Sequence, residues 1–143
     1  MKITRVETIR LDEFTNLLWV RVHTDAGMIG LGETFFGARA AEAYIHETAA
    51  PSLIGRDPLQ IERIARDLPP YIGFAGTGAE TRGRSAIDIA LWDLWGRVAE
   101  QPVYQLLGGL THDKMRIYNT CAGYRYVRSR PNWSLDDWGT GGS

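Results

Sequence analysis

The sequence predicts an α+β fold, in which a three-stranded antiparallel meander is followed by a helical bundle. Three alternating or β-branched segments occupy the first 33 residues, with turn residues between them. From residue 39 onward, apolar residues recur at helical spacing between prolines and glycines. With 143 residues, of which 44% are hydrophobic and 23% are charged, the chain can bury the core of one globular domain.

The first predicted strand covers residues 2–11, which are rich in β-branched side chains. Its alternation changes phase between Val6 and Ile9, which indicates a bulge or burial on both faces. The second predicted strand, residues 17–24, alternates regularly, so every other residue shares a face. One face of this strand carries Leu18, Val20 and Val22, and the other carries Trp19, Arg21 and His23.

A short turn at Asp25–Gly27 joins the second strand to a third one at Met28–Glu33, which completes the meander. Gly30 and Gly32 lie two residues apart in this third strand. They do not form a dinucleotide-binding fingerprint, because Phe35 stands where that motif needs a third glycine. Glycine at two strand positions instead indicates that another backbone approaches closely there.

Two shorter helices are predicted between the meander and a later long helix. The first covers the alanine-rich segment Arg39–Ala50 and ends at Pro51, because proline lacks the backbone N–H that would continue it. Asp57 is suited to cap the second helix, with Pro58 at its first helical position. That helix is then expected to cover Leu59–Leu68.

The long helix is predicted to follow Thr77–Glu80, whose residue order fits a capping box, and to end near Glu100. Its apolar residues occupy more than one face, so we expect it to pack on more than one side. Asp88 lies among them, and we expect it to pair with an arginine or to accept from a neighbouring backbone. One more helical turn is predicted at Pro102–Leu107, and Gly108–Gly109 suits a left-handed exit. The apolar stripe of the long helix contains Ile87, Leu91, Leu94 and Val98.

The segment Ser85–Gly109 resembles a signature of the enolase superfamily, in its mandelate racemase and muconate lactonizing enzyme branch. In that branch, an A-x-D-x-A-L-W-D helix runs into P-V-Y-x-L-L-G-G at the end of the N-terminal cap domain. The match is long and ordered, so it indicates the family, but it carries no information about the substrate. The matching residues are Ala86, Asp88, Ala90, Leu91, Trp92, Asp93, Pro102, Val103, Tyr104, Leu106, Leu107, Gly108 and Gly109.

The resemblance implies that residues 1–112 form an enolase-like N-terminal cap domain. It implies that residues 113–128 hold the first strand of a (β/α) barrel, at Met115–Cys121, and the loop after it. Residues 129–143 have no sustained periodicity and read as an irregular tail or a truncation point. In the family, the metal-binding carboxylates and the acid/base residues lie on later barrel strands. The resemblance therefore implies no catalytic and no metal-binding residue in this chain.

In the enzymes that the chain resembles, two cap loops close over the barrel mouth and select the substrate. Here the first loop is Glu13–Asn16 and the second is Glu33–Ala38. Aromatic side chains in these loops would exclude water, and polar ones would bind the far end of the substrate. The alternative is that Phe35–Phe36 fill the core of the cap. The end of the first barrel strand supplies further candidates, although a buried position suits Cys121 better than a role in the site. The candidate substrate-binding residues are Phe14, Thr15, Asn16, Thr34, Phe35, Phe36, Asn119, Cys121 and Tyr124.

The family resemblance implies an enzyme that abstracts the proton alpha to a carboxylate, with Mg²⁺ stabilising the enediolate. Because Ile117–Gly123 is similar to the acid-sugar dehydratases of the branch, dehydration of an acid sugar is the expected reaction, and the chain alone is expected to be inactive. A racemase or epimerase and a muconate-type cycloisomerase are the alternatives within the family. A non-catalytic binding or oligomerisation module is the alternative of another class. The expected partners are a small carboxylate substrate, the barrel domain of the same protein, which would bind the Mg²⁺, and further copies in a homo-oligomer.

Composition and charge argue against several other classes. The formal net charge of −1 gives no electrostatic basis for binding nucleic acid or an anionic membrane. No apolar run approaches the roughly 18 residues of a membrane span, and the first residues lack a signal-peptide pattern. Cys121 is the single cysteine, which fits a reducing compartment, so a cytoplasmic location is expected. His46–Glu47 begins like a zinc-protease motif, but Ala50 occupies the position of its second histidine.

Overall fold

The computed structural model describes residues 1–68 and 78–118, and it has the predicted α+β order of three strands followed by helices. A 3₁₀ turn at Asp12–Phe14 lies between the first two strands, and a π-helical segment at Ile45–Ala49 lies between the first two helices. The strands are β1 (Ile3–Ile9), β2 (Leu17–Thr24) and β3 (Ile29–Phe35). The helices are α1 (Ala38–Tyr44), α2 (Ala50–Leu53), α3 (Ile61–Asp67), α4 (Ala79–Ala99) and α5 (Val103–Leu106).

The three strands form an antiparallel sheet in the order β1-β2-β3, as a meander requires. The predicted inner face of β2 is confirmed, because Leu18, Val20 and Val22 are completely buried. The predicted irregularity of β1 exists, but its register shift lies between Ile3 and Arg5, nearer the N-terminus than the sequence indicated. Strand β3 continues past the predicted Glu33, because its pairing with β2 extends to the Leu17–Phe35 pair.

Helix α4 packs directly against the backbone of β3, and two glycines make this approach possible. A Cβ atom on Gly30 would collide with the carbonyl oxygen of Ala90, and one on Gly32 would collide with the carbonyl oxygen of Ala86. The predicted close approach of a second backbone is therefore confirmed. The atoms nearest to the two glycines are mostly backbone atoms of the helix, so strand and helix meet with little between them.

Asp93 ties the same helix to the open edge of the sheet. Among the described residues, strand β3 has a strand neighbour on one side only, so backbone groups on its other side need different partners. The backbone N–H of Leu31 donates to the Asp93 carboxylate at 2.8 Å, and Arg97, one helical turn later, donates to the same oxygen at 2.9 Å. A signature residue of the helix therefore stabilises the strand beside it.

The helix predicted to end before Pro51 continues beyond it, so that boundary was wrong. After α1 the chain makes a π-helical segment, in which the N–H of Ala50 donates to the carbonyl of Ile45, five residues earlier. Pro51 then falls in the first turn of α2, where a missing N–H costs little. Ile45, Ala49 and Leu53 are fully buried, so the wider turn keeps one continuous face in the core.

The second short helix begins later than predicted. Asp57 is not its cap: the Asp57 side chain accepts from the N–H of Leu59 at 3.1 Å, and its carbonyl accepts from Gln60 at 3.2 Å. These bonds make a turn, and α3 starts only at Ile61. The predicted capping box of α4 begins at Thr77, which lies outside the described residues, so this prediction stays untested.

The C-terminal part of the long helix matches its prediction closely. Helix α4 ends at Ala99, and Glu100 has a left-handed φ of 52°. In the predicted stripe, Ile87, Leu91 and Leu94 are buried, whereas Val98 is 38% exposed because it lies in the last turn. Trp92 and Trp95 are partly buried against the core with their ring centroids 5.1 Å apart.

After α5, Gly108 and Gly109 have positive φ values of 109° and 99°, which confirms the predicted glycine exit. The predicted strand Met115–Cys121 is not formed over its described part, Met115–Tyr118, whose side chains point into solvent. A strand needs a partner strand, and the described residues supply none at this position. Of the predicted segments, 113–128 is described only as far as Tyr118, and 129–143 lies outside the described residues.

Candidate functional site

The two predicted cap loops meet at one end of the sheet. The hairpin pairing of β2 with β3 places Leu18 opposite Thr34 and Leu17 opposite Phe35. One further bond continues this ladder beyond the strands, because the N–H of Phe36 donates to the carbonyl oxygen of Asn16 at 3.0 Å. The first loop is therefore joined to the second by backbone, and both form a single surface.

The first loop is compact. The N–H of Phe14 donates to the carbonyl of Leu11 at 3.0 Å, which closes the 3₁₀ turn at Asp12–Phe14. The Phe14 side chain is half-buried and Thr15 is exposed. Asn16 is only 5% exposed, so it belongs to the base of the loop. Thr15 is therefore the polar candidate of this loop that solvent reaches most freely.

The second loop displays two aromatic rings. The centroids of Phe35 and Phe36 lie 4.5 Å apart with the ring planes inclined by 34°. Phe35 is 41% exposed and Phe36 is half-buried, and neither belongs to the described hydrophobic core. Phe36 has a positive φ of 63°, and Gly37 follows with 62°. Because a bulky residue in this region is strained, other contacts must hold the loop in this conformation.

Arg82 of α4 provides such contacts, and the sequence analysis missed it. Its guanidinium carbon lies 5.5 Å from the centroid of each phenylalanine ring, and its Nη1 donates to the carbonyl oxygen of Phe35 at 2.5 Å. The glycine pattern contained the signal. Gly30 faces Ala90 and Gly32 faces Ala86. Moving two residues forward along β3 therefore corresponds to moving four residues towards the N-terminus of α4. The next step places residue 34 beside Arg82.

A second polar group, also missed in the sequence, lies on the sheet face opposite the helices. Glu7 accepts from His23 at 2.9 Å and lies 3.3 Å from Arg21 and 3.7 Å from Arg5. The hydrogen bond from His23 has the largest effect and lowers the pKa of Glu7. Burial comes next and raises it, and the positive charges of Arg5 and Arg21 lower it further. The cluster lies at the surface and is partly exposed, so we interpret it as a stabilising surface network.

Asp88 lies in a pocket between α3 and α4 and does not have the arginine partner that the sequence suggested. Arg84, one turn earlier, donates instead to the carbonyl of Ala65 at 2.7 Å. In the described part of the chain Asp88 forms no ion pair, and burial, followed by the negative charge of Glu62, raises its pKa. The apolar lining includes Ile64, Leu68 and Leu91.

The described residues contain no cluster of three or more His, Cys, Asp or Glu side chains that could hold a metal ion. They therefore do not fit the Mg²⁺ that the resemblance implies, and no chemical step on a metal can be assigned to them. Within the same residues, no helix is both long and apolar enough to cross a membrane. Asn119, Cys121 and Tyr124, the remaining candidates, lie outside the described residues.

Comparison with known proteins agrees with the fold. The model of the mandelate racemase / muconate lactonizing enzyme N-terminal domain family matches residues 7–108. A D-galactonate dehydratase of Verminephrobacter eiseniae is 39% identical over 127 residues, which is 87% of this chain and 32% of the relative. A D-xylonate dehydratase of Haloferax volcanii is 37% identical over 119 residues, which is 82% of this chain and 28% of the relative.

Solved structures give the same result. An enolase of the mandelate racemase subgroup from Agrobacterium tumefaciens is 62% identical with a TM-score of 0.75, over 78% of this chain and 31% of the other. An enolase from Pantoea ananatis with bound D-gluconate and Mg is 37% identical with a TM-score of 0.71, over 78% of this chain and 28% of the other. The chain spans about a third of the length of the curated relatives it matches. By its match to this family model, the chain belongs to the mandelate racemase / muconate lactonizing enzyme N-terminal domain family of the enolase superfamily.

Proposed function

We propose that this chain is the substrate-capping part of a Mg²⁺-dependent acid-sugar dehydratase, and that it is inactive without a barrel domain. The observation that carries the proposal is the backbone link between the two loops, with the Phe35–Phe36 pair displayed on the second loop and Thr15 exposed on the first. A closing lid needs apolar rings to exclude water and polar groups to hold the substrate's far end. The loops supply both.

The chemistry assigned to the barrel is removal of the proton alpha to the substrate carboxylate, followed by loss of the hydroxyl group on the next carbon as water. When bound, Mg²⁺ would offset the charge of the enediolate formed on the way. This chain's own contribution is to exclude water from that step and to contact the distal hydroxyl groups. Relatives named as galactonate and xylonate dehydratases support an acid sugar as substrate.

The proposal extends to location and assembly. The lone cysteine supports a cytoplasmic protein, and a homo-oligomer stays a prediction from the sequence. Racemisation, epimerisation and cycloisomerisation by a barrel of the same superfamily are the competing reactions. The competing class is a non-catalytic module, which the exposed side chains of Tyr104, Met115, Ile117 and Tyr118 would favour if they bind a partner other than a barrel.

A chimera tests the proposal. Residues 1–112 of this chain would replace the corresponding cap of the V. eiseniae D-galactonate dehydratase, and water loss from D-galactonate, D-gluconate and D-xylonate would be followed with Mg²⁺ through the 2-keto product. We expect the chimera to be active and its Phe35→Ala/Phe36→Ala double variant to lose most of kcat/KM. The chimera with Arg66→Gln, an exposed residue of α3 outside both loops, should keep the kcat/KM of the unmodified chimera.

Two outcomes would contradict the proposal. A folded chimera that dehydrates none of the three sugars would remove the capping function. Dehydration by the 143-residue chain alone with Mg²⁺ would show that the chain is not only a cap.

A further inference from the structure

Arg82 makes three contacts with the second cap loop and belongs to a different element. Its guanidinium lies over the rings of Phe35 and Phe36 at equal distances of 5.5 Å and donates to the Phe35 carbonyl at 2.5 Å. The planar guanidinium of arginine can stack on a ring and donate a hydrogen bond at the same time. Helix α4 is anchored in the core, so it offers a fixed support for the loop.

The contacts fall where the loop backbone is least stable by itself. The carbonyl that accepts from Arg82 belongs to the residue directly before Phe36 and Gly37, which have consecutive positive φ values of 63° and 62°. Such a conformation in a non-glycine residue persists only when its surroundings impose it. The Arg82 hydrogen bond fixes the peptide unit that enters this strained pair.

The same contacts reach the first loop. The N–H of Phe36 donates to the carbonyl of Asn16, so the orientation of Phe36 sets the position of the end of the Glu13–Asn16 loop. A side chain on α4 is thus linked to both loops through Phe35, Phe36 and one backbone hydrogen bond. Arg82 is the only charged group that the described residues place over these two rings.

We propose that Arg82 is a positioning residue that holds both cap loops in one arrangement and so orders the lid before substrate binds. The part of the inference that concerns a lid over the substrate rests on the proposed function. Its structural content, the dependence of the loop conformation on Arg82, can be tested on this chain alone.

The test is amide hydrogen exchange, measured by NMR on the 143-residue chain and its variants. We expect Arg82→Gln to speed exchange of the Phe36 amide about tenfold or more, because a hydrogen bond from a charged donor is lost. Exchange of the Val20 amide in the central strand should stay unchanged. Arg82→Lys keeps the charge and one donor, so it should restore part of the protection.

Arg66→Gln is the matched control, because Arg66 is 76% exposed and its nearest carboxylate is 3.9 Å away. It should leave the Phe36 amide unchanged. If Arg82→Gln leaves Phe36 exchange within about twofold of wild type, the inference is wrong. If Arg82→Gln unfolds the chain, Arg82→Lys decides the question. Faster exchange of the Phe36 amide with an unchanged rate at the Val20 amide supports the inference, and an unchanged rate at Phe36 overturns it.

The two proposals fail separately. An inactive chimera overturns the proposed function, and it does not alter the exchange result, which needs no substrate. Unchanged exchange at Phe36 in an active chimera overturns the role of Arg82 alone. Arg82→Gln in the active chimera should lower kcat/KM while Arg66→Gln does not.

Discussion

Substituting Gly32 by alanine should destabilise the fold far more than a single methyl group ordinarily does. The new Cβ would fall on the carbonyl oxygen of Ala86 and 2.9 Å from the amide nitrogen of Ala90. Both atoms belong to the backbone of a long helix, so neither can rotate away as a side chain would. Helix and strand must therefore separate, at the centre of their contact.

Overpacking a core typically costs 1–3 kcal/mol, and a backbone obstacle places Gly32→Ala at the upper end, at about 3 kcal/mol. For a domain of this size, such a loss lowers the Tm by about 10 °C. Urea unfolding followed by circular dichroism at 222 nm measures the free energy of unfolding, and a thermal scan gives the Tm. Glu33→Ala, exposed on the same strand, should change the free energy by less than about 0.5 kcal/mol.

A second substitution shows whether the new Cβ at residue 32 clashes with the backbone of Ala86 or with its side chain. Ala86→Gly removes a methyl group but leaves the carbonyl oxygen in place, so it should not rescue Gly32→Ala. Rescue by Ala86→Gly would show that the obstacle is the alanine side chain. A Gly32→Ala protein as stable as wild type would refute the packing account altogether.

Three further predictions concern single carboxylates. Asp93→Ala should cost about 1–3 kcal/mol in urea unfolding, because the Leu31 amide loses a charged acceptor, and an unchanged midpoint would contradict this. The lowered pKa of Glu7 means that its contribution to stability is present above the unfolded-state pKa and is lost as the pH falls through the folded value. An NMR titration of the Glu7 carboxyl should therefore shift to higher pH in His23→Gln, and an identical curve would exclude the hydrogen bond as the cause. The raised pKa of Asp88 gives the opposite pH dependence of stability. Its contribution is greatest below the unfolded-state pKa and falls as the pH rises through the folded-state pKa. Asp88→Asn should therefore raise the unfolding free energy at pH 7 and have little effect at low pH, and equal effects at both would argue against this origin.

The fold could be predicted from the sequence because its signals are local. The alternation in residues 17–24 and the apolar stripe of the long helix indicate which side of each element faces the core. The burial seen in the structure agrees with both patterns. The boundary at Pro51 failed for a physical reason. A π-helical segment changes the backbone hydrogen bonds from i→i−4 to i→i−5, and no residue type in Ile45–Ala49 indicates this change in the sequence.

The candidate site was only partly predictable. The two loops could be located because the family that the sequence resembles has them between the first two strands and after the third. Their contact follows from the hairpin register of β2 and β3. Arg82 could not be recognised by residue type, since an arginine near the start of a helix is unremarkable in a sequence. Finding it needs the spatial register between α4 and β3, which depends on Gly30 and Gly32 together.

The two edges of the sheet carry a consequence for the newly made protein. On one edge, Ile3 of β1 donates to the carbonyl of Arg56 at 2.9 Å and accepts from the N–H of Gly55 at 2.8 Å. On the other edge, Asp93 occupies the N–H of Leu31 in β3. Exposed strand edges recruit strands from other chains, and growing polypeptides are especially vulnerable. Because a chain is synthesised from its N-terminus, the partners of Ile3 and Leu31 at the two edges are all present once Asp93 has been added. These edge contacts can therefore form without any residue that follows Asp93.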